Sequence, residues 1–288
     1  MCFSNGSVFH FADDTNILYS DHNLSNLKRD AEQEMHKLVD WLRSNELSIN
    51  ESKTEVLLFR SASAKVPHDF FIEINKCKVF TSKFVKYVGV LIDENLNWNC
   101  HITNLCVKLS QCVGILSKLR HYTSTKICVS VYYSLFHSYL HYGCLAWQFA
   151  NETLLNKIKV LQRKALRFIT FSDREDSTSP LFFLLNILKV EDLFSCCVLS
   201  FMFQLHSKEL PISMYQFFMC SNRVLCNSRN SDRLSLPFVK SKKYGERSLR
   251  FSGSKIWNKT IENINIKDFS STVSFKKFLK KQSIESYK

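Results

Sequence analysis

The hydrophobic period of this chain changes at Trp98, and that change constrains the fold more than any other feature of the sequence. Before it, apolar residues come mostly in short β-prone runs; after it they recur at helical spacing over long stretches. Trp98, Ile102, Leu105, Leu109, Cys112, Val113, Leu116 and Leu119 form one stripe, which predicts a helix of about six turns. Ser124 caps a second predicted helix that runs to a stop at Gly143. Asn151 caps a third, with Leu154, Leu155, Ile158, Leu161, Ala165 and Phe168 on its buried side. Three helices joined by short loops make a bundle. The expected fold class is α+β: antiparallel strands backed by a helix, then the bundle, then a mostly helical, basic C-terminal region.

Within the first part, residues 8–12 and 15–19 are β-prone, and Asp13 and Asp14 fall between them, where a hairpin turns. An isolated Asp-Asp pair is also what a solvated turn carries. Adjacent carboxylates at a strand end repel one another unless a cation compensates, and their hard oxygens favour Mg²⁺. Leu24, Leu27, Ala31, Leu38, Trp41 and Leu42 predict an amphipathic helix over 23–44, with Asn23 as N-cap and Asn45 as a left-handed stop. Residues 47–50 and 54–59 read as short strands around a turn, with Lys53 at its exit. Residues 72–80 and 85–92 read as a further strand pair, Gly89 permitting close backbone approach.

Charge is distributed unevenly. Of the net +13, residues 1–100 contribute −3 and residues 101–288 contribute +16. A segment so basic repels itself unless it meets a polyanion, and nucleic acid is the commonest such partner. Opposite the apolar stripe of the third helix lie Lys157, Lys159, Arg163, Lys164 and Arg167, a face able to track phosphates without reading sequence; a merely solvated face has the same composition. Tyr132, Tyr133, Phe136 and Tyr139 stand at helical spacing and read as core rather than as base-stacking platforms. Residues 174–180 form a polar hinge. From 221 to 260 the chain is irregular and basic, with Arg223, Arg229, Arg233, Lys240, Lys242, Lys243, Arg247, Arg250 and Lys255 interleaved with Tyr244, Phe251 and Trp257, the composition of a single-strand or structured-RNA binder. A last helix, about 271–281, puts Val273, Phe278 and Leu279 on one side and Lys276, Lys277, Lys280 and Lys281 around the rest, free to dock or to fray.

Eleven cysteines occur without a Cys-x-x-Cys or a Cys/His quartet at zinc spacing, which reads as buried thiols of a reducing, intracellular compartment. The most apolar stretches, 127–149 and 193–205, are respectively interrupted by His137, His141 and serines and too short to span a bilayer, so no membrane partner is expected.

The remaining signal lies in the order of three segments and a set of later landmarks. They are Phe11-Ala12-Asp13-Asp14-Thr15; Trp41-Leu42 with Asn45-Glu46-Leu47-Ser48-Ile49-Asn50 and Lys53-Thr54-Glu55; Lys86-Tyr87-Val88-Gly89-Val90-Leu91-Ile92-Asp93 followed by Leu96-Asn97-Trp98 and His101-Ile102; and the less specific Tyr142-Gly143, Trp147, Leu161-Gln162-Arg163-Lys164-Ala165-Leu166-Arg167, Phe251-Ser252-Gly253 and Trp257-Asn258. In this order the chain resembles the second half of a LINE-type, jockey-like non-LTR retrotransposon reverse transcriptase. The resemblance implies a partial palm with primer-grip-like strands over 1–95, a helical thumb over 96–172 and a basic C-terminal domain over 180–288. It implies Asp13 and Asp14 as catalytic ligands of Mg²⁺, and Lys53 as a proton donor near the leaving pyrophosphate, in copying an RNA template from a DNA primer with deoxynucleoside triphosphates.

In that family a further metal-binding aspartate and a glycine-rich nucleotide segment lie upstream of the acidic pair. The ten residues before Phe11 cannot hold them, so the resemblance implies an N-terminally truncated polymerase, inert alone. The alternative is a non-catalytic nucleic-acid-binding module that keeps the basic thumb and C-terminal domain. Target-primed copying in the family would suit nuclear action, for which the short basic clusters at 240–243 and 276–281 are the available signal.

Overall fold

In the computed structural model, which describes residues 6–67, 69–219 and 233–288, each strand pairs with its immediate neighbour in sequence, giving three separate antiparallel hairpins among the described residues. Strand β1 (Ser7–Phe11) pairs with β2 (Asp14–Leu18), β3 (Phe71–Ile74) with β4 (Cys77–Phe80), and β5 (Phe84–Tyr87) with β6 (Val90–Asp93). Left-handed residues close all three turns: Ala12 in the first, Asn75 and Lys76 in the second, Val88 and Gly89 in the third. Two-residue turns of this handedness match the twist of the strands they join. The runs 72–80 and 85–92 are therefore not partners of one another, because each contains its own turn between Ile74 and Cys77 or between Tyr87 and Val90.

Residues 47–50 and 54–59 do not form the expected strands. Glu51–Lys53 is instead a 3₁₀ turn, and the side-chain oxygen of its cap, Asn50, accepts from the Lys53 amide at 3.3 Å. Such local capping competes with an extended ladder, and only Val56 makes an isolated bridge, to Thr81. Helix α1 (Leu24–Ser44) begins as the sequence predicts, with the Asn23 side chain accepting from the Ser25 amide at 2.8 Å. Its end differs by one residue: Asn45 has φ −101° and Glu46, at φ 58°, takes the left-handed position. The helix buries Ala31, Met35 and Val39 against Ile72 and Ile74, with Ile17, Tyr19, Val56 and Val79 packed around them. This is the core of the first compact unit, Met1–His101.

The second unit, Ile102–Lys288, is helical. Helix α2 (Asn99–Leu119) buries the predicted stripe from Ile102 to Leu116. The second predicted helix is built of α3 (Thr125–Val131), a π-helical turn over Tyr132–His137 and α4 (Ser138–His141), and it ends at a left-handed Gly143. Within the π turn Tyr132 and Phe136 stack at 5.1 Å, both fully buried, as their spacing predicts. Then follow α5 (Cys144–Trp147), α6 (Glu152–Thr170), α7 (Ser179–Leu184), α8 (Val190–His206), α9 (Ile212–Met219), α10 (Leu249–Ile261) and α11 (Thr272–Glu285). Ser124 and Asn151 occupy N-cap positions without a side-chain cap bond.

Helix α8 is the centre of this unit, apolar nearly all round as a fully buried helix must be. Phe203 stacks on Phe275 of α11 at 4.8 Å, and Trp257 of α10, one of the aromatics in the basic segment, is fully buried beside His206. A capping box between Ser271 and Ser274 starts α11. Its buried side is Phe275, Leu279 and Ile284, whereas Val273 and Phe278, expected on that side, are exposed. The helix docks rather than frays: the hydroxyl of Tyr287 donates to the Asp192 carboxylate and accepts from the Lys189 amide at 3.1 Å. No helix among the described residues is long and apolar enough to cross a membrane.

One buried polar side chain ties these helices together. Gln162 of α6 donates from Nε2 to Tyr132 Oη at 2.9 Å and to the Leu188 carbonyl at 2.8 Å, and its Oε1 accepts from the Val190 amide at 3.0 Å. Gln162→Ala leaves those three groups buried without this partner, and the expected loss is about 2–4 kcal/mol in urea unfolding. A loss below about 0.5 kcal/mol would remove the amide from any structural role.

Candidate functional site

The first hairpin carries the acidic pair at its tip. Asp13 lies in the turn, and Asp14 opens β2 opposite Phe11. Ile17 and Tyr19 pack on the α1 core, so the alternation of a strand sends Asp14, Phe11, Phe9 and Leu18 to the other face, where all four are exposed. Tyr19 is the deeper anchor: burial first, then the neighbouring Glu34 carboxylate, pushes its phenol above the usual range. Neither Asp13 nor Asp14 has a side-chain hydrogen bond or ion pair among the described residues. Two free carboxylates suit a hard divalent cation such as Mg²⁺ in donor chemistry. Among the described residues no three His, Cys, Asp or Glu side chains gather as a metal-binding group, so the pair would be one part of a coordination sphere. Lys53 is exposed at the end of its 3₁₀ turn, and no hydrogen bond or ion pair among the described residues joins it to Asp13 or Asp14.

The basic face of α6 divides into exposed cations and half-buried ones that hold other elements. Lys157, Arg163 and Lys164 are exposed, while Leu155, Ile158, Ala165, Leu166 and Ile169 are buried on the opposite side. Lys159 is held by two carboxylates, Glu152 at 2.6 Å and Glu191 of α8 at 2.9 Å. Burial works against its ammonium, but the two carboxylates outweigh burial and raise its pKa. Arg167 donates to the Asp176 carbonyl at 2.9 Å and so braces the loop that follows the helix.

Beside this face runs a groove of about 560 Å³ lined by Thr103, Cys106, Val107, Ser110 and Gln111 of α2 and by Lys157. The two helices run side by side in the same direction: Lys157 stands near Cys106, and further along the Phe168 carbonyl accepts from Arg120 at 3.5 Å. At that end the Arg120 guanidinium lies 4.4 Å from the ring centre of Phe171 and 5.3 Å from that of Phe168, with Lys164 over Phe168 at 5.9 Å. His121 meets Phe171 edge-on at 5.7 Å, and Tyr122 is 87% exposed. Phe171 reaches this place because it ends α6 in the left-handed conformation, at φ 57°. Arg120, Tyr122 and Phe171 escape sequence reasoning, since the cation and the aromatic end different helices and only packing joins them.

In the C-terminal basic segment, Arg233 pairs with Glu262 at 2.6 Å and Arg250 stacks over Phe217 at 5.7 Å. Arg223, Arg229, Cys220 and Cys226 lie outside the described residues, as do the side chains of Lys242 and Lys243.

Sequence comparison gives the same kinship as the motifs. The chain is 26% identical over 163 residues to the RNA-directed DNA polymerase from mobile element jockey of Drosophila melanogaster, a match that covers 56% of this chain and 18% of the relative. It is 26% identical over 168 residues to the probable RNA-directed DNA polymerase from transposon X-element of the same organism, and 27% identical over 167 residues to the jockey polymerase of Drosophila funebris, again covering 56% of this chain and 18% of each relative. The chain thus spans less than a fifth of the length of the curated relatives it matches, at 18%. No protein-family model matches it. No solved structure matches it either. Its relatives are jockey-like non-LTR retrotransposon reverse transcriptases.

The Lys159 clasp makes a pH dependence. Burial opposes the Glu191 charge, but the hydrogen bond and charge of Lys159 outweigh it and hold the carboxyl below its usual range. A depressed carboxyl stabilises the fold above its unfolded pKa, about 4.3 for glutamate, and that contribution fades as pH falls through the lower folded value. Wild type is expected to melt above Glu191→Gln near neutrality, and the gap to close under acid. A gap that stays constant in thermal melts across that range would mean the side chain acts by packing alone.

Proposed function

We propose that this chain, a relative of jockey-like reverse transcriptases, corresponds to part of the palm, the primer grip, the thumb and the C-terminal region of an RNA-directed DNA polymerase, and that its helical unit grips a template–primer duplex along α2 and α6. The observations that carry the reading are the groove lined by Lys157 and the α2 side chains, and the cluster in which Arg120 lies on Phe168 and Phe171 with Lys164 over Phe168. Cations spaced along a groove neutralise phosphates without reading bases, and exposed aromatics beside them stack on a base or a sugar. Lys159 and Arg167 hold the helix and its following loop in place rather than reach for phosphate.

Asp13 and Asp14 would hold Mg²⁺ through their free carboxylates. Bound there, the cation would offset charge on the triphosphate and lower the pKa of the primer hydroxyl. Two adjacent carboxylates on one turn give only part of the six-oxygen shell that Mg²⁺ demands, so the chain is expected to need further ligands to extend a primer. Lys53 is the proton donor for pyrophosphate on this reading, and its exposure leaves it free for that task. The second reading, a non-catalytic nucleic-acid-binding module, draws on the same groove and dispenses with the hairpin.

Two measurements separate these outcomes. Affinity for an RNA–DNA duplex should fall steeply with added salt, and Arg120→Ala, Lys157→Ala and Lys164→Ala should each reduce the logarithmic salt slope by about 1, with Lys159→Ala leaving it unchanged. A shallow slope would overturn both readings. In primer extension with Mg²⁺ and deoxynucleoside triphosphates, neither wild type nor Asp13→Ala is expected to yield product. Product from wild type that Asp13→Ala abolishes would give the hairpin a complete active site and reject the binding-module reading.

A further inference from the structure

A second cavity, of about 350 Å³, opens in the helical unit and shares no lining residue with the α2–α6 groove. Its size lies at the low end for a small-molecule pocket. His137 and His141 line it from the π turn and α4, and Lys276 and Lys280, one turn apart, line it from α11. Contacts join these groups: the His137 ring stacks on His141 at 6.0 Å and leans on Tyr133 at 5.2 Å, and the Lys280 ammonium donates to the Tyr133 hydroxyl at 3.3 Å. Leu188, Leu193 and Phe201, all buried, supply an apolar wall. Nothing in the polymerase reading uses these residues.

Among the described residues no aspartate or glutamate lines this cavity. The carboxylates on the elements around it have other partners: Asp192 accepts from the Tyr287 hydroxyl, Glu191 holds Lys159 at 2.9 Å, Glu209 accepts from the Thr272 hydroxyl at 2.9 Å, and Glu285 meets Lys281 at 4.0 Å. Neither Lys276 nor Lys280 has an ion pair among the described residues. Their charge is felt inside. Burial first, then the charges of His141 and Lys280, pushes the His137 imidazole down to about 4. Near neutrality that ring is uncharged and keeps one N–H to donate. Cations that share a cavity need no contact with one another to act on a ligand, because charge acts over several ångströms where water is thinned out.

We propose that this cavity binds a phosphate monoester that carries a flat ring, the chemistry of a nucleoside 5′-monophosphate, either free or at the phosphorylated end of a strand. The phosphate lies between Lys276, Lys280 and the His141 ring, and the base lies against Leu188, Leu193 and Phe201. A phosphate monoester carries close to two negative charges at neutral pH, which two ammonium groups balance. A carboxylate would bring only one. Inorganic phosphate has the charge but leaves the apolar wall uncovered, whereas a flat ring takes that wall out of water.

The test is isothermal titration of the full chain at low ionic strength, with adenosine 5′-monophosphate, inorganic phosphate and adenosine as separate probes. Adenosine 5′-monophosphate is expected to bind more tightly than either of its parts, and Lys276→Gln and Lys280→Gln are each expected to weaken it about tenfold. Lys277→Gln, exposed on α11 but outside the cavity, and Lys157→Ala in the groove should leave it unchanged. A 5′-phosphorylated trinucleotide that binds as well as the mononucleotide supports the site with a strand end as its source; one that binds far more weakly supports it with the free nucleotide. No binding, equal binding by either part alone, or binding that survives both lysine substitutions would overturn the proposal. On wild type, 8-azidoadenosine 5′-monophosphate should photolabel peptides covering 137–145 or 188–201. Label found only elsewhere overturns the site, and this result decides even where a lysine variant fails to fold.

Discussion

A buried amide organises the helical unit. Gln162 lies on α6 among apolar neighbours, and leaving its polar atoms dry and unpaired would cost more than its packing returns. It therefore dictates where three other groups must be: the Tyr132 hydroxyl, the Leu188 carbonyl and the Val190 amide. Those groups belong to the π turn, to the loop after α7 and to the start of α8, so one side chain sets the register of α6 against its neighbours. The basic face of α6 inherits that register, because the same rotation that buries Gln162 turns Lys157 and Lys164 to solvent. Lys159 reinforces it from the edge, clasped between Glu152 of its own helix and Glu191 of α8.

The first unit is organised differently. Its three hairpins each fold on a two-residue turn, and α1 gathers residues from the first two against one apolar stripe. The third is tied by polar contacts instead: Arg60 grips Glu94 through two hydrogen bonds of 3.1 and 3.0 Å, and the Asp93 carboxylate accepts from the amides of Asn95, Asn97 and Trp98 as the chain turns toward α2. This local, modular construction leaves the Asp13–Asp14 turn at the tip of its own hairpin, anchored by Ile17 and Tyr19 at the far end.

What the sequence made legible follows from how local each cause is. The helices α1, α2 and α6 stand where periodicity predicts them, since a long amphipathic stripe has few other ways to bury itself. The first hairpin was legible too, as two β-prone runs on either side of an acidic turn. The strand pairing of 72–80 with 85–92 failed because Asn75-Lys76 is a turn dipeptide with a weak signature, and because Gly89, read as a point of close backbone approach, is instead half of a two-residue turn. The exposed Val273 and the buried Phe275 reversed an assignment made on apolar character alone, because on α11 contact with Phe203 decides which side faces in. At the candidate interface, Lys157, Arg163 and Lys164 were readable from the helix face, whereas the employment of Lys159 by Glu191 and the meeting of Arg120 with Phe171 depend on residues distant in the chain.

The docking of Tyr287 on the first turn of α8 also sets a schedule for synthesis. Its partner Asp192 lies 95 residues earlier. At roughly 5–20 residues per second, about 5–20 s separate their emergence from the ribosome. Throughout that interval α8, the most thoroughly buried helix of the unit, lacks Phe275, Leu279 and Tyr287 as cover. Its folding is therefore completed only after Tyr287 has emerged, and until then the nascent helix is a ready client for chaperones that hold apolar segments.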